Sequence, residues 1–159
     1  MSSPHLFGNM VQLGYVVTDF DRAAVNFRER YGIDKWKVVP LDPGSPTSRI
    51  AMAYAGEMIF ELVEVDTSVG LLDIHRGWLP QDPSEARLNH VAFMRDSLEA
   101  LEDAQAHFEQ LGAAIPVRMS FGDIFEFFYA DTVPQLGHWS EFLCLGPGGK
   151  DFLADIPRF

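Results

Sequence analysis

Hydrophobic and polar residues follow two different periods along the chain. Residues 11–17 alternate as in a β-strand, and apolar residues then recur every three or four positions as far as Gly32. The same succession returns at residues 88–94 and runs on to Gly112. The pattern therefore predicts a strand followed by an amphipathic helix in each half of the chain.

Both predicted helices carry start and stop signals. Thr18 or Asp19 precedes the first helix, and Asp96 or Ser97 precedes the second, which are residue types that cap helix N-termini. A glycine closes each helical pattern, as expected where the backbone turns into the left-handed region. These signals fix the limits of both helices.

Three further strand-like runs follow each strand and helix, so the predicted order is βαβββ, twice. The runs are WKVVP, RIAMAYAG and MIFELVEV in the first half, and IPVRMSF, IFEFFYAD and HWSEFLCL in the second. This repeat predicts an α+β fold divided into an N-terminal tail (1–8), a first module (9–66), a linker (67–87), a second module (88–147) and a C-terminal tail (148–159). The linker is rich in Gly, Pro and Asp and is expected to lie partly over the functional site.

Four polar residues interrupt the apolar faces of the predicted strands. Glu141 alternates in phase with Trp139 and Leu143, and Glu61, His90 and Gln12 occupy comparable positions in their own strands. Gln12 and His90 are 78 positions apart (90 − 12), and Glu61 and Glu141 are 80 apart (141 − 61), so one register nearly superposes both pairs. If the modules pair about an approximate two-fold axis, the four side chains converge.

If the four side chains converge on one cation, the presence of two carboxylates on apolar strand faces is explained. An isolated buried carboxylate is costly, and two that lie close together repel, whereas a divalent cation between them balances their charge. Taken singly, the residues have ordinary interpretations: a hydrogen-bonded core histidine, glutamates at a sheet edge or paired with arginine, and an unremarkable glutamine. In register with the repeat, they favour a metal site of mainly oxygen ligands.

Composition narrows the class of partner. Apolar residues make up 47% of the 159, enough for a buried core, and the net charge of −11 disfavours nucleic acid and acidic membrane surfaces. Cys144 is the single cysteine, which excludes an internal disulfide and makes it a core residue by its place in a strand. The first residues resemble no secretory signal. We therefore expect a cytoplasmic protein with a small-molecule partner.

The double pattern resembles a known family. The segments QLGYVVTDFDRAAVNFRERYGI, LNHVAFMRDSLEALEDAQAHFEQLGA and ELVEV are similar to those of the vicinal oxygen chelate superfamily, over about residues 9 to 147. That superfamily includes glyoxalase I, methylmalonyl-CoA epimerase, extradiol dioxygenases and the fosfomycin and bleomycin resistance proteins. The resemblance implies two βαβββ modules that pair into a cup-shaped mixed β-sheet.

The resemblance also implies a metal site and a reaction. Its ligand positions fall on Gln12, Glu61, His90 and Glu141, a set that matches glyoxalase I, whereas the last strand is more similar to that of the epimerase. The implied cofactor is one divalent ion of Zn, Ni, Co, Mn or Fe. The implied activity is that of a lyase or isomerase that transfers a proton beside a carbonyl through a metal-bound enediolate, with Glu141 as base and Glu61 as the second candidate.

The sequence constrains the identity of the substrate less than it constrains the metal site. Aromatic residues crowd two strands of the second module and suggest a hydrophobic substrate, a thioester or a thiol adduct, although core packing explains them equally well. The candidates are Met119, Phe121, Phe125, Phe127, Phe128, Tyr129 and Trp139.

Two other functions remain open on this sequence. One is a binding or resistance protein that sequesters a hydrophobic molecule in the same cup. The other is a ring-cleavage dioxygenase, which Gln12 disfavours because that class places histidine there. A homodimer also remains open, since the modules pair either within one chain or between two chains.

Overall fold

The computed structural model describes residues 6–159, so residues 1–5 of the predicted N-terminal tail lie outside the described part. The order βαβββ occurs twice, as predicted, with two short helices added in the second half. The first half contains β1 (Met10–Val17), α1 (Phe20–Tyr31), β2 (Lys37–Pro40), β3 (Thr47–Ala55) and β4 (Met58–Val65). The second contains β5 (Arg87–Arg95), α2 (Leu98–Gln110), β6 (Val117–Phe121), β7 (Phe125–Ala130), α3 (Val133–Leu136), β8 (Trp139–Leu145) and α4 (Gly149–Ala154).

The chain forms two compact units that follow the repeat. The first unit comprises Gln12–Asn89 together with Asp155–Phe159, and the second comprises His90–Ala154 together with residues 6–11. The last residues join the first unit through Tyr54, whose backbone bonds to Pro157 and Phe159. The linker also belongs to the first unit, whereas α4 belongs to the second.

In the first unit the strands are ordered β2-β3-β4-β1, with β1 parallel to β4 and the other pairs antiparallel. Helix α1 packs Phe20, Ala23 and Phe27 against one face of this sheet, where Val17 and Leu62 are fully buried. This apolar stripe recurs at the spacing that the sequence predicted. The opposite face of β1 and β4 is therefore the one that carries Gln12 and Glu61.

The linker covers part of that opposite face. Leu71, Trp78 and Leu79 of the linker pack against a buried cluster of Val16, Val63 and Val65 on β1 and β4. These valines alternate in phase with Gln12 and Glu61. The linker therefore lies on the face of the first unit that also carries Gln12 and Glu61.

The predicted helix caps are present. The Asp19 carboxylate accepts a hydrogen bond from the Arg22 N–H at 3.1 Å, and the Ser97 hydroxyl accepts one from the Ala100 N–H at 3.1 Å. Gly32 ends α1 with φ of 74°, a left-handed conformation that glycine adopts without steric cost. The caps fix where each helix begins on its sheet.

In the second unit the strands are ordered β5-β8-β7-β6, with β5 parallel to β8. One face packs against α2 through a cluster of aromatic rings, in which Phe128 stacks on Phe142 at 5.2 Å and contacts Phe108. The candidate Phe128 is thus wrong as a pocket residue, because it is 0% exposed and faces the helix. Cys144 is also buried, which raises the pKa of its thiol and confirms it as a core residue.

Across residues 6–159 there is no helix with both the length and the apolarity that spanning a membrane requires.

Candidate functional site

Gln12 and Glu61 form a buried polar pair of positions in the first unit. They are 5% and 6% exposed. The parallel pairing of β1 with β4 places Gly14 directly opposite Glu61, so Gln12 lies two residues before that point on the same face. Because Gly14 has no side chain, the carboxylate of Glu61 meets no competing side chain from that position.

His90 and Glu141 occupy the equivalent positions in the second unit. His90 is 0% exposed and Glu141 is 7% exposed, and the Nε2 atom of His90 lies 3.3 Å from the Oε2 atom of Glu141. Ala92 lies opposite Glu141 in the pairing of β5 with β8, as Gly14 lies opposite Glu61. The two modules therefore repeat one arrangement, with a small residue beside each carboxylate.

The distance between His90 and Glu141 fits two ligands of one divalent ion. Metal bonds to histidine nitrogen and carboxylate oxygen of about 2.0–2.2 Å, at ligand angles of about 90° to 110°, place the two ligand atoms about 2.8–3.6 Å apart. The observed 3.3 Å lies in this range. In the part of the chain that the structure describes, no three His, Cys, Asp or Glu side chains are grouped as a metal site. The joining of the two pairs into one ligand set thus stays a prediction.

Tyr129 contacts the histidine of this pair. Its hydroxyl oxygen lies 3.4 Å from His90 Nε2, and the two rings meet edge to face with centroids 5.1 Å apart. Tyr129 is directly opposite Glu141 in the antiparallel pairing of β7 with β8, so both side chains project from the same face.

The other predicted pocket residues share this face, because paired residues and every second residue along a strand project the same way. Phe121 and Phe125 are partly covered by Phe152 of α4, a helix within the predicted C-terminal tail. Met119 is 54% exposed. The set on the Glu141 face comprises Met119, Phe121, Phe125, Phe127, Tyr129 and Trp139.

Trp139 adds a polar atom to this face. Its indole Nε1 is buried and has no hydrogen-bond partner within residues 6–159. A buried N–H normally has an acceptor. An acceptor atom of a bound ligand would satisfy it, a role that the sequence pattern alone did not indicate.

Glu64, the second glutamate of MIFELVEV, has a different role. It lies on the helix face of β4, where it accepts hydrogen bonds from the Arg49 guanidinium at 2.8 Å and the Phe20 backbone N–H at 2.7 Å. Burial opposes ionisation of this carboxyl, but the hydrogen bonds outweigh burial and lower its pKa. Glu64 therefore stabilises the start of α1 and is not part of the site.

Comparison with solved structures yields matches over most of the chain. A methylmalonyl-CoA epimerase from Mycobacterium tuberculosis matches with a TM-score of 0.62 at 13% identity, over 97% of this chain and 97% of that chain. A variant methylmalonyl-CoA epimerase from Streptomyces coelicolor in complex with 2-nitronate-propionyl-CoA has a TM-score of 0.60 at 13% identity, over 86% and 96%. A hypothetical protein from Bacillus halodurans has a TM-score of 0.58 at 17% identity, over 86% and 93%.

No protein-family model matches this sequence. A search of curated proteins likewise gives no match. The structural neighbours nevertheless include methylmalonyl-CoA epimerases, which are members of the vicinal oxygen chelate superfamily. The chain therefore has the α+β fold of that superfamily, built from two βαβββ modules as its sequence predicted.

Proposed function

We propose that this protein is a divalent-metal-dependent, epimerase-like enzyme that transfers a proton at the carbon next to a carbonyl group. The observation that carries the proposal is the buried pair of His90 and Glu141, held 3.3 Å apart on adjacent strands at a distance that suits two ligands of one ion. A buried histidine in contact with a buried carboxylate is a combination that is frequent at sites where a cation or a reaction uses the pair. The structural neighbours named as methylmalonyl-CoA epimerases support this choice of chemistry.

Gln12, Glu61, His90 and Glu141 would hold the ion, which could be Zn, Ni, Co, Mn or Fe. With Gln12 and His90 neutral, the charges of the two carboxylates balance a doubly charged cation. When bound, the ion would supply Lewis-acid stabilisation of negative charge on substrate oxygens. The buried positions of all four side chains would keep bulk water from the reacting carbon.

Glu141 would take the proton from the α-carbon. General-base help of this kind is typically worth about 10²- to 10⁴-fold in rate. Inversion at carbon requires that a proton leave one side and return on the other, and Glu61 is the carboxylate at the equivalent position of the first module. We therefore assign Glu61 as the second candidate for proton transfer.

The proposed substrate is an acyl thioester or thiol adduct. Two of the structural neighbours are epimerases whose complexes contain a coenzyme A thioester or a propionyl-CoA analogue. The aromatic face around Glu141 offers apolar contacts for an acyl group, and the Trp139 N–H offers a donor for one of its oxygens.

Sequestration of a hydrophobic molecule without chemistry is a second candidate. The specific observation in its favour is the exposure of Met119 on the same face as Phe127 and Tyr129. A flexible methionine beside aromatic rings suits apolar ligands of varied shape. This candidate predicts that Glu141→Gln leaves ligand affinity unchanged.

The test is α-proton exchange in deuterated water with each metal supplied in turn. Acyl-CoA thioesters and 2-oxo aldehyde thiol adducts would be compared, and deuterium at the α-carbon would be followed by NMR. We expect exchange in the wild type and, in Glu141→Gln, a loss of at least about 100-fold for the enantiomer whose α-proton Glu141 removes. Glu126→Gln is the matched control, because Glu126 lies on the opposite face of the same sheet and pairs with Arg118 at 2.8 Å.

Equal exchange rates in Glu141→Gln and wild type would rule out Glu141 as the base. Absence of exchange with every substrate, combined with unchanged binding of an apolar ligand by the variant, would favour sequestration.

A further inference from the structure

Two oxygen atoms approach the same nitrogen of His90. The Tyr129 hydroxyl oxygen lies 3.4 Å from Nε2 and the Glu141 Oε2 atom lies 3.3 Å from it. Strand pairing fixes this crowding, because Tyr129 lies directly opposite Glu141 on the neighbouring strand. All three side chains are buried.

A neutral imidazole nitrogen has one lone pair to give. It can accept a hydrogen bond from a hydroxyl group, or it can bind a metal ion, but it cannot do both. In the tautomer that carries its proton on Nδ1, Nε2 accepts from the Tyr129 hydroxyl, and the tyrosine then competes with an ion for His90. The edge-to-face contact of the two rings holds the hydroxyl close to that nitrogen.

We propose that the Tyr129 hydroxyl donates to His90 Nε2 when no ion is bound to that nitrogen, is displaced when an ion binds there, and then donates to a substrate oxygen. The inference rests on the proposed function, since it takes His90 as a metal ligand. A hydroxyl group that no longer donates to Nε2 can donate to another acceptor. An oxygen of the substrate that gains negative charge during proton removal is the acceptor whose hydrogen bond would strengthen in the transition state.

The first test measures metal affinity, without substrate, for wild type, Tyr129→Phe and Tyr31→Phe. The substitution to phenylalanine keeps the ring beside His90 and removes only the hydroxyl, and Tyr31 is an exposed tyrosine on α1 that serves as the control. Calorimetric titration with Co²⁺ and Mn²⁺ should show about 2- to 10-fold tighter binding by Tyr129→Phe, because the competing hydrogen bond is absent. The Tyr31→Phe variant should match the wild type.

Unchanged or weaker metal binding by Tyr129→Phe would contradict the proposal that the Tyr129 hydroxyl competes with the ion for His90. If wild type itself binds neither ion, the proposed function and this inference fail together. If wild type binds an ion and only the variant's gain is missing, the inference fails alone.

The second test separates kcat from KM for α-proton exchange. Tyr129→Phe should lower kcat by about 10-fold or more and change KM little, since the bond to the substrate oxygen strengthens in the transition state. A change in KM alone, or no change, would show that the hydroxyl does not act on the reacting oxygen. Tighter metal binding together with slower turnover is a combination that a packing role for Tyr129 does not produce.

Discussion

The Nε2 atom of His90 lies 3.3 Å from the Oε2 atom of Glu141, with both residues buried on adjacent parallel strands. In the pairing of β5 with β8, His90 lies opposite Trp139, and Glu141 lies opposite Ala92. The two ligand candidates are thus diagonal neighbours, which brings a long carboxylate and an imidazole together at one point of the sheet. The first module repeats the diagonal with Gln12 and Glu61.

Metal binding at His90 and Glu141 should stabilise the folded protein. A divalent ion at 100 times its Kd is expected to add about 2.7 kcal/mol to the free energy of unfolding, which corresponds to a rise of about 5–10 °C in Tm for a chain of this size. Differential scanning fluorimetry with and without Mn²⁺, Co²⁺, Ni²⁺ or Zn²⁺ measures this rise in Tm. The His90→Ala variant should lose the rise, and His107→Ala, on α2, should keep it.

A chelator should reverse the stabilisation. If Tm is the same with each ion and with chelator, the predicted ligand set is wrong.

The two glutamates should differ in their effect on stereochemistry. If each serves one side of the α-carbon, Glu61→Gln should still exchange the α-proton of one enantiomer while losing interconversion of the two. Glu141→Gln should show the opposite preference. Chiral chromatography of the thioester measures interconversion of the enantiomers, and NMR detection of deuterium measures α-proton exchange. Equal loss of exchange from both enantiomers in both variants would indicate that one glutamate acts as a ligand only.

Glu64 should control stability at low pH. Its pKa is lowered in the folded state from its usual value of 4.5, so its contribution to stability is present above about pH 4.5 and is lost as the pH falls through the folded-state pKa. Glu64→Gln should lower the free energy of unfolding by about 1–3 kcal/mol at pH 7. Urea titrations from pH 7 to pH 3 should show the difference between wild type and variant shrinking below pH 4.5.

Glu57→Gln, at the exposed turn between β3 and β4, is the control and should leave stability unchanged at every pH. A constant difference between Glu64→Gln and wild type across the whole range would contradict the assigned ion pair with Arg49.

Alanine substitutions at two neighbouring phenylalanines of β7 should have different effects, one mainly on stability and the other mainly on substrate binding. Phe128→Ala should cost about 3–5 kcal/mol, because it leaves a cavity in the aromatic cluster against α2. Phe127→Ala, on the Glu141 face and only partly buried, should cost less stability and weaken substrate binding. Urea unfolding and KM measurements on the two variants test the assignment, which a larger stability loss in Phe127→Ala would refute.

Local pattern was enough to predict the repeat. The alternation of residues 11–17, the caps Asp19 and Ser97 and the closing Gly32 act within a few residues of the chain, so their effects can be read without knowing the tertiary structure. The same alternation placed Glu61 and Glu141 on apolar faces. The alternation does not tell which face of β7 packs against α2, so the sequence alone does not separate Phe128 from the pocket residues.

The amino-acid sequence by itself determined the two βαβββ modules, their helix limits and the four polar positions on apolar strands, because these depend on periodicity and local hydrogen bonding. Only the tertiary structure decided that Glu64 pairs with Arg49, that Trp78 of the linker covers the valine cluster, and that Tyr129 reaches His90. Those relations depend on strand register and on contacts between residues distant in the chain. A register is a collective property of paired strands, which no single strand specifies.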